Sequence, residues 1–156
     1  MPELVERIDV DAPPEQVFAA LVDWERQGEW MVLTDVEPDD DGGAQGVGGR
    51  IAAVTGVRLP FGLFGGRRIG VLDTMLVTRW EAPRRVDVRH TGKVVRGTGT
   101  FEVLPRGENG STFVWTEEVD LPLGALGRAG WPLARPVIAA AYRVSLRRFA
   151  AYARAH

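Results

Sequence analysis

Apolar and polar positions alternate at the start of the chain. In ELVERIDV (3–10), Leu4, Ile8 and Val10 share one parity and Glu6 interrupts it, which predicts a half-buried strand. The period then lengthens. In DAPPEQVFAALVD (11–23), Val17, Phe18, Leu21 and Val22 form an apolar face at helical spacing. Asp11 or Ala12 falls at the cap position, the prolines lie in the first turn, and Glu15 suits the helix dipole. WERQGEW (24–30) predicts one further short helix, weakened by Gly28.

After residue 30 the period returns to two. VLTDVEP is closed by the turn cluster DDDGG, and GVGGRIAAVTGVR leads to a glycine-rich, apolar loop. RIGVLDTMLVTRW is a long strand that EAPRR turns into VDVRHTG. RGTGTFEVLPR and GSTFVWTEEVDLP flank GENGS, where Asn109-Gly110 is the strongest hairpin signal. Short connections throughout predict seven strands in a mostly antiparallel sheet. The last segment is helical again, with Ile138, Ala141, Tyr142, Ser145, Phe149 and Tyr152 on one stripe and Arg143, Arg147 and Arg154 on another. Pro132 and Pro136 fit near its start, and from Pro136 onward about 20 residues give a helix near 30 Å long. The arginine stripe reads as a solvated face, with cations suited to a helix C-terminus. Strands run together and helices stand outside them, so the class is α+β. No linker or repeat divides residues 1–156, and a single domain is expected.

Composition narrows the chemistry. A net charge of −2 gives no electrostatic footprint for nucleic acid or an anionic membrane. The absence of cysteine excludes disulfides, thiol catalysis and cysteine metal sites. With His90 and His156 the only histidines, no metal site and no cofactor are expected. The start MPELVERIDV has neither a basic region nor an apolar core, so no signal peptide is expected. No run approaches the ~20 apolar residues of a membrane span, and the expected location is cytoplasmic, without stable membrane association.

The order of elements, with IDVDAPPEQVFAALVDWERQGEW near the start, WEAPRRVDVRHTG mid-chain and a long final helix, resembles the START-like superfamily. This is the SRPBCC or Bet v 1-like group, and the chain is most similar to its bacterial polyketide cyclase/dehydrase-like branch. The resemblance implies a helix-grip fold: a curved seven-stranded sheet wrapped around the C-terminal helix, with two short helices after the first strand. It also implies a deep apolar cavity between the concave sheet and that helix. It brings no motif that fixes a reaction.

Parity places candidate residues on the concave face. Gly97 and Gly99 align with Phe101 and Val103, and interior strand glycines mark either bends or room left for a ligand. His90 aligns with Val86 and Val88, and is either a satisfied core histidine or an acid/base group. Glu117 aligns with Phe113, Trp115 and Val119, so it needs a partner or a raised pKa; Arg79 or Arg96 is the expected partner. Trp24, Trp30, Trp80 and Trp115 fill the core or line the cavity, and Ile138 and Tyr142 lie on the inner stripe of the last helix.

The loop VRLPFGLFGGRRIG (57–70) precedes a strand, not a helix, and no Gly-Lys-Ser/Thr follows it, which excludes a phosphate loop. Its Phe61, Leu63 and Phe64 beside Arg67 and Arg68 suit a membrane tip physically, but the resemblance puts this loop at the cavity mouth as an apolar rim.

The expected ligand set is Trp30, Phe61, Leu63, Phe64, Trp80, His90, Gly97, Gly99, Trp115, Glu117, Ile138 and Tyr142. The leading expectation is binding of an apolar or aromatic, lipid- or polyketide-like small molecule. A second is a cyclase- or dehydratase-type enzyme using His90, Glu117 and Tyr142 as acid/base groups. A third is an accessory or regulatory protein-interaction module whose contact patch is the 57–70 loop.

Overall fold

The computed structural model describes residues 3–39, 41–60, 62–120 and 124–156, with backbone alone at Leu63 and Phe64. Strand β1 (Glu3–Val10) leads into helix α1 (Pro14–Leu21) and a 3-10 helix at Trp24–Glu29. Six strands follow: β2 (Thr34–Pro38), β3 (Arg50–Arg58), β4 (Arg68–Glu81), β5 (Arg85–Thr91), β6 (Arg96–Arg106) and β7 (Gly110–Asp120). Helix α2 (Ala125–Ala155) ends the chain. The strands form one antiparallel sheet in the order β1-β7-β6-β5-β4-β3-β2. Successive hairpins thus build the sheet from β2 to β7, and β1 closes onto β7.

The concave face carries the alternating apolar set that parity predicts. Val86 and Val88 of β5, Phe101 and Val103 of β6, and Phe113 and Trp115 of β7 are all buried. The C-terminal half of α2 lies in this hollow through Leu146, Phe149 and Ala153, which are at most 1% exposed. The Phe149 ring centroid is 4.7 Å from Trp30 and 5.0 Å from Phe113. This aromatic junction fastens the helix to the sheet and to the segment after α1.

One glycine of β6 is required by its surroundings. Gly97 takes φ +117°, and a Cβ there would collide with the Glu118 carbonyl of β7. Only glycine accommodates both conditions.

Three local expectations are corrected. The N-cap of α1 is Pro13, not Asp11 or Ala12, and no side chain caps the helix. The β6–β7 hairpin closes on the pair Arg106 and Gly110, so Gly110 is the first residue of β7 and Gly107-Glu108-Asn109 form the turn, with Gly107 at φ +67°. A two-residue Asn-Gly turn does not form. Helix α2 begins at Ala125 and contains Pro132 and Pro136 instead of starting at them. A proline removes one helical hydrogen bond, and here the segment is exposed, so water can hydrate the freed carbonyls. The full helix is 31 residues, or roughly 46 Å, long.

Candidate functional site

A cavity of about 360 Å³ lies between the concave sheet, the Trp24–Glu29 segment and α2. That volume falls within the roughly 300–1,000 Å³ of small-molecule sites. Its wall is chiefly apolar and aromatic, with Trp24, Met31, Met75, Phe101, Trp115 and Trp131 among the large contributors. Its charged groups are Asp73, His90, Arg96 and Glu117. Arg96, at the start of β6, both lines the cavity and is exposed, which places it at the rim.

The strand register assembles the polar wall. Met75 of β4 stands opposite His90 of β5, which stands opposite Gly97 of β6; Gly99 is in turn opposite Glu117 of β7. Asp73 lies two residues before Met75 and shares its face. Both ring nitrogens of His90 meet a carboxylate: Nδ1 is 2.8 Å from Asp73 Oδ1 and Nε2 is 2.8 Å from Glu117 Oε2. Trp115 Nε1–H donates to Glu117 Oε1 at 2.8 Å. The Tyr142 ring, from α2, stacks on Trp115 at 4.1 Å with an interplanar angle of 7°.

Glycine at position 99 has a specific purpose. A Cβ there would lie 2.9 Å from Glu117 Oε1 and 3.1 Å from Val88 Cγ2. The space left by the missing side chain holds the Glu117 carboxylate, not a ligand.

Burial opposes a charge on His90, but the hydrogen bonds to Asp73 and Glu117 and their negative charge outweigh it and lift its pKa to about 10. At neutral pH His90 is therefore an imidazolium donating from both nitrogens. Burial, with the charges of Glu117 and Asp73 adding to it, pushes the Tyr142 hydroxyl well above its usual value and keeps it neutral. That hydroxyl has no hydrogen-bond partner among the described residues.

Of the sequence candidates, His90, Trp115, Glu117, Ile138 and Tyr142 line this cavity. The remaining described candidates lie elsewhere. Trp30 is 1% exposed, wedged between Phe149 and Trp115, with its indole N–H unpartnered among the described residues. Trp80 packs edge-on against Phe18 at 5.4 Å and borders a surface hollow beside α1. Gly97 lies against the Glu118 carbonyl of β7, and Gly99 makes room for Glu117. Phe61 and the side chains of Leu63 and Phe64 lie outside the described residues. Glu117 does not pair with Arg79 or Arg96, because its partners are His90 and Trp115, and Arg79 bonds Glu81 instead.

Sequence reasoning missed Asp73 and Trp131. Asp73 shares the parity of Met75 and Val77, a signal present in β4, but the register shift between Val77 and Arg79 interrupts the alternation of that strand. Trp131 stands two helical turns before Ile138, on the same face of α2. That spacing is a usable signal, but the prolines at 132 and 136 point to a helix start further on and hide it.

Among the described residues, no group of His, Cys, Asp and Glu is arranged to hold a metal ion, and no helix is long and apolar enough to cross a membrane. No curated protein sequence matches the chain. The fold is similar to that of TTHA0849 from Thermus thermophilus, at 21% identity over 99% of this chain and 98% of that one, with a TM-score of 0.74. The Aha1 protein of Colwellia psychrerythraea, solved as a dimer, is 19% identical over 94% and 91% of the two chains, with a TM-score of 0.61. A START superfamily protein from Mycobacterium smegmatis is 12% identical over 98% and 94%, with a TM-score of 0.57. Residues 1–154 match the family described as polyketide cyclase/dehydrase and lipid transport. On that match, spanning nearly the whole sequence, the chain belongs to the polyketide cyclase/dehydrase and lipid transport family.

Proposed function

We propose that the protein binds an apolar or aromatic small molecule, lipid- or polyketide-like, in the cavity under α2. The observation that carries this reading is the cavity itself: about 360 Å³, largely apolar, with its buried charged groups gathered on one wall. Family membership agrees with a hydrophobic ligand. Titration with the neutral fluorophore N-phenyl-1-naphthylamine tests the reading. Saturable uptake is expected, with quenching of tryptophan fluorescence through Trp115 and Trp24. An Ala141→Phe substitution, which fills the cavity from α2, is expected to weaken uptake at least tenfold. Uptake that is not saturable, or that is indifferent to this substitution in a folded protein, overturns the reading.

A second reading, a cyclase- or dehydratase-type enzyme, is favoured by His90, Glu117 and Tyr142 all lining this one cavity. The geometry limits the roles. His90 is committed at both nitrogens, which leaves the carboxylates as acceptors and the neutral Tyr142 hydroxyl as a donor. Turnover of a poly-β-carbonyl substrate that disappears in Tyr142→Phe but survives in Trp80→Phe would support it.

A further inference from the structure

The polar wall of the cavity has a hydrogen-bonding character set by proton counting. Asp73, His90 and Glu117 share two protons in two hydrogen bonds, and wherever those protons sit the cluster carries a net charge of −1. The Trp115 indole N–H is also spent, on Glu117. Every donor of the cluster is thus consumed internally. What the cluster leaves unspent is acceptor capacity: Asp73 Oδ2, which makes no hydrogen bond among the described residues, and the second lone pairs of the bonded oxygens, on residues that line the cavity. Asp73 keeps 20% of its side chain exposed, against 6% for His90 and 7% for Glu117, so it is the open side of the cluster. Tyr142 adds one hydroxyl on the same cavity, unpartnered among the described residues.

We infer that this wall selects a ligand bearing an uncharged hydroxyl, alcohol or phenol, and rejects one that would place a carboxylate there. The inference rests on the cavity being the ligand site. A hydroxyl can donate to a carboxylate oxygen of the cluster while accepting from Tyr142. A carboxylate offers no donor and meets a like charge in a desolvated setting, where repulsion is stronger than in water. A hydrocarbon of the same shape leaves the acceptors unpaired once water is displaced. Arg96 is, among the described residues, the one cation lining the cavity outside the cluster, and its exposure places it at the rim.

Displacement of N-phenyl-1-naphthylamine at pH 7 by 2-naphthol, 2-methylnaphthalene and 2-naphthoate tests this with ligands of matched shape. The series is measured in Arg96→Gln protein, so that the rim cation cannot hold the carboxylate outside the cluster. The expected order is naphthol first, methylnaphthalene at least threefold weaker, and naphthoate at least tenfold weaker than naphthol. In Asp73→Asn protein on the same background, which lowers the negative charge of the cluster and keeps an acceptor for His90, the naphthol-to-naphthoate ratio, taken within that protein so that any change in probe affinity cancels, is expected to fall at least threefold. Naphthoate binding equal to naphthol, or a ratio indifferent to Asp73→Asn, overturns the inference and leaves the cavity reading intact. Failure of the probe and of all three ligands to bind overturns both.

Discussion

Raising the pH from 6.5 to 10 should destabilise this protein through a single residue. The ordinary pKa of a histidine is 6.5, and His90 is lifted to about 10 in the fold. The folded state therefore binds more protons than the unfolded state between those limits. Stability from this group is fully present below pH 6.5 and is lost as the pH rises through about 10. The interval caps the linkage at about 5 kcal/mol, and because Asp73 is one-fifth exposed and partly screened by water, a loss of about 2–4 kcal/mol is expected. At roughly 2–4 °C per kcal/mol for a domain of this size, the midpoint of thermal unfolding should fall by about 5–15 °C.

The groups facing His90 come from every neighbouring element: Asp73 on β4, Glu117 on β7, Tyr142 on α2 and Arg96 at the rim on β6. Urea unfolding at pH 6, 8 and 9.5 measures the slope, and His90→Gln supplies the reference that removes contributions from lysine, tyrosine and the α-amino group. Ring resonances give an independent readout, since the chain has only two histidines. A stability that is flat across the window, an equal slope in His90→Gln, or an imidazole that titrates near 6.5 would refute the reasoning.

Two further outcomes follow from the same geometry. Gly99→Ala should cost about 1–3 kcal/mol in urea unfolding, since its Cβ meets Glu117 Oε1 at 2.9 Å, and should change Trp115 emission as the Glu117 contact is displaced. Joint replacement of the cluster by apolar side chains (Asp73→Leu, His90→Leu, Glu117→Met and Trp115→Phe) should leave urea stability at or above that of the native protein, whereas removing one partner alone costs about 3–5 kcal/mol.

The sequence made the strand faces legible but not the positions that meet across strands. Parity alone put His90 and Glu117 on the concave side, because both follow buried neighbours, Val88 and Trp115, at period two. Parity is a local property. Which residue of β7 stands beside which residue of β6 depends on hairpin length, and the β6–β7 turn is three residues, not two. By charge alone an arginine is the natural companion for Glu117, yet register brought a histidine from two strands away. Trp80 shows the converse. It pairs with Val86, whose side chain is buried in the core, but it packs edge-on against Phe18 of α1 and is not among the residues that line the cavity. Prolines obscured α2 for a related reason: they read as a start signal, while an exposed first half tolerates them and so carries Trp131 to the cavity.

The scaffold and the site make opposite demands on the same sheet. Phe113, Phe149, Trp30, Leu146 and the valines of β5 hold α2 against the strands without any ionisable group. The Asp73–His90–Glu117 cluster adds little that this core requires. Charges at this depth lose hydration that their mutual attraction only roughly offsets, and an apolar trio of similar volume would serve folding as well. Its surroundings are nevertheless arranged around it: Gly99 gives up a side chain so that Glu117 fits, and Trp115 turns its N–H to the carboxylate while offering a face to Tyr142. Several residues are committed to orienting groups that stability does not need, at the place where an otherwise apolar cavity becomes charged. On the proposed reading, that separation between what closes the grip and what lines it makes the cavity wall, not the aromatic junction, the part of the fold on which ligand choice would depend.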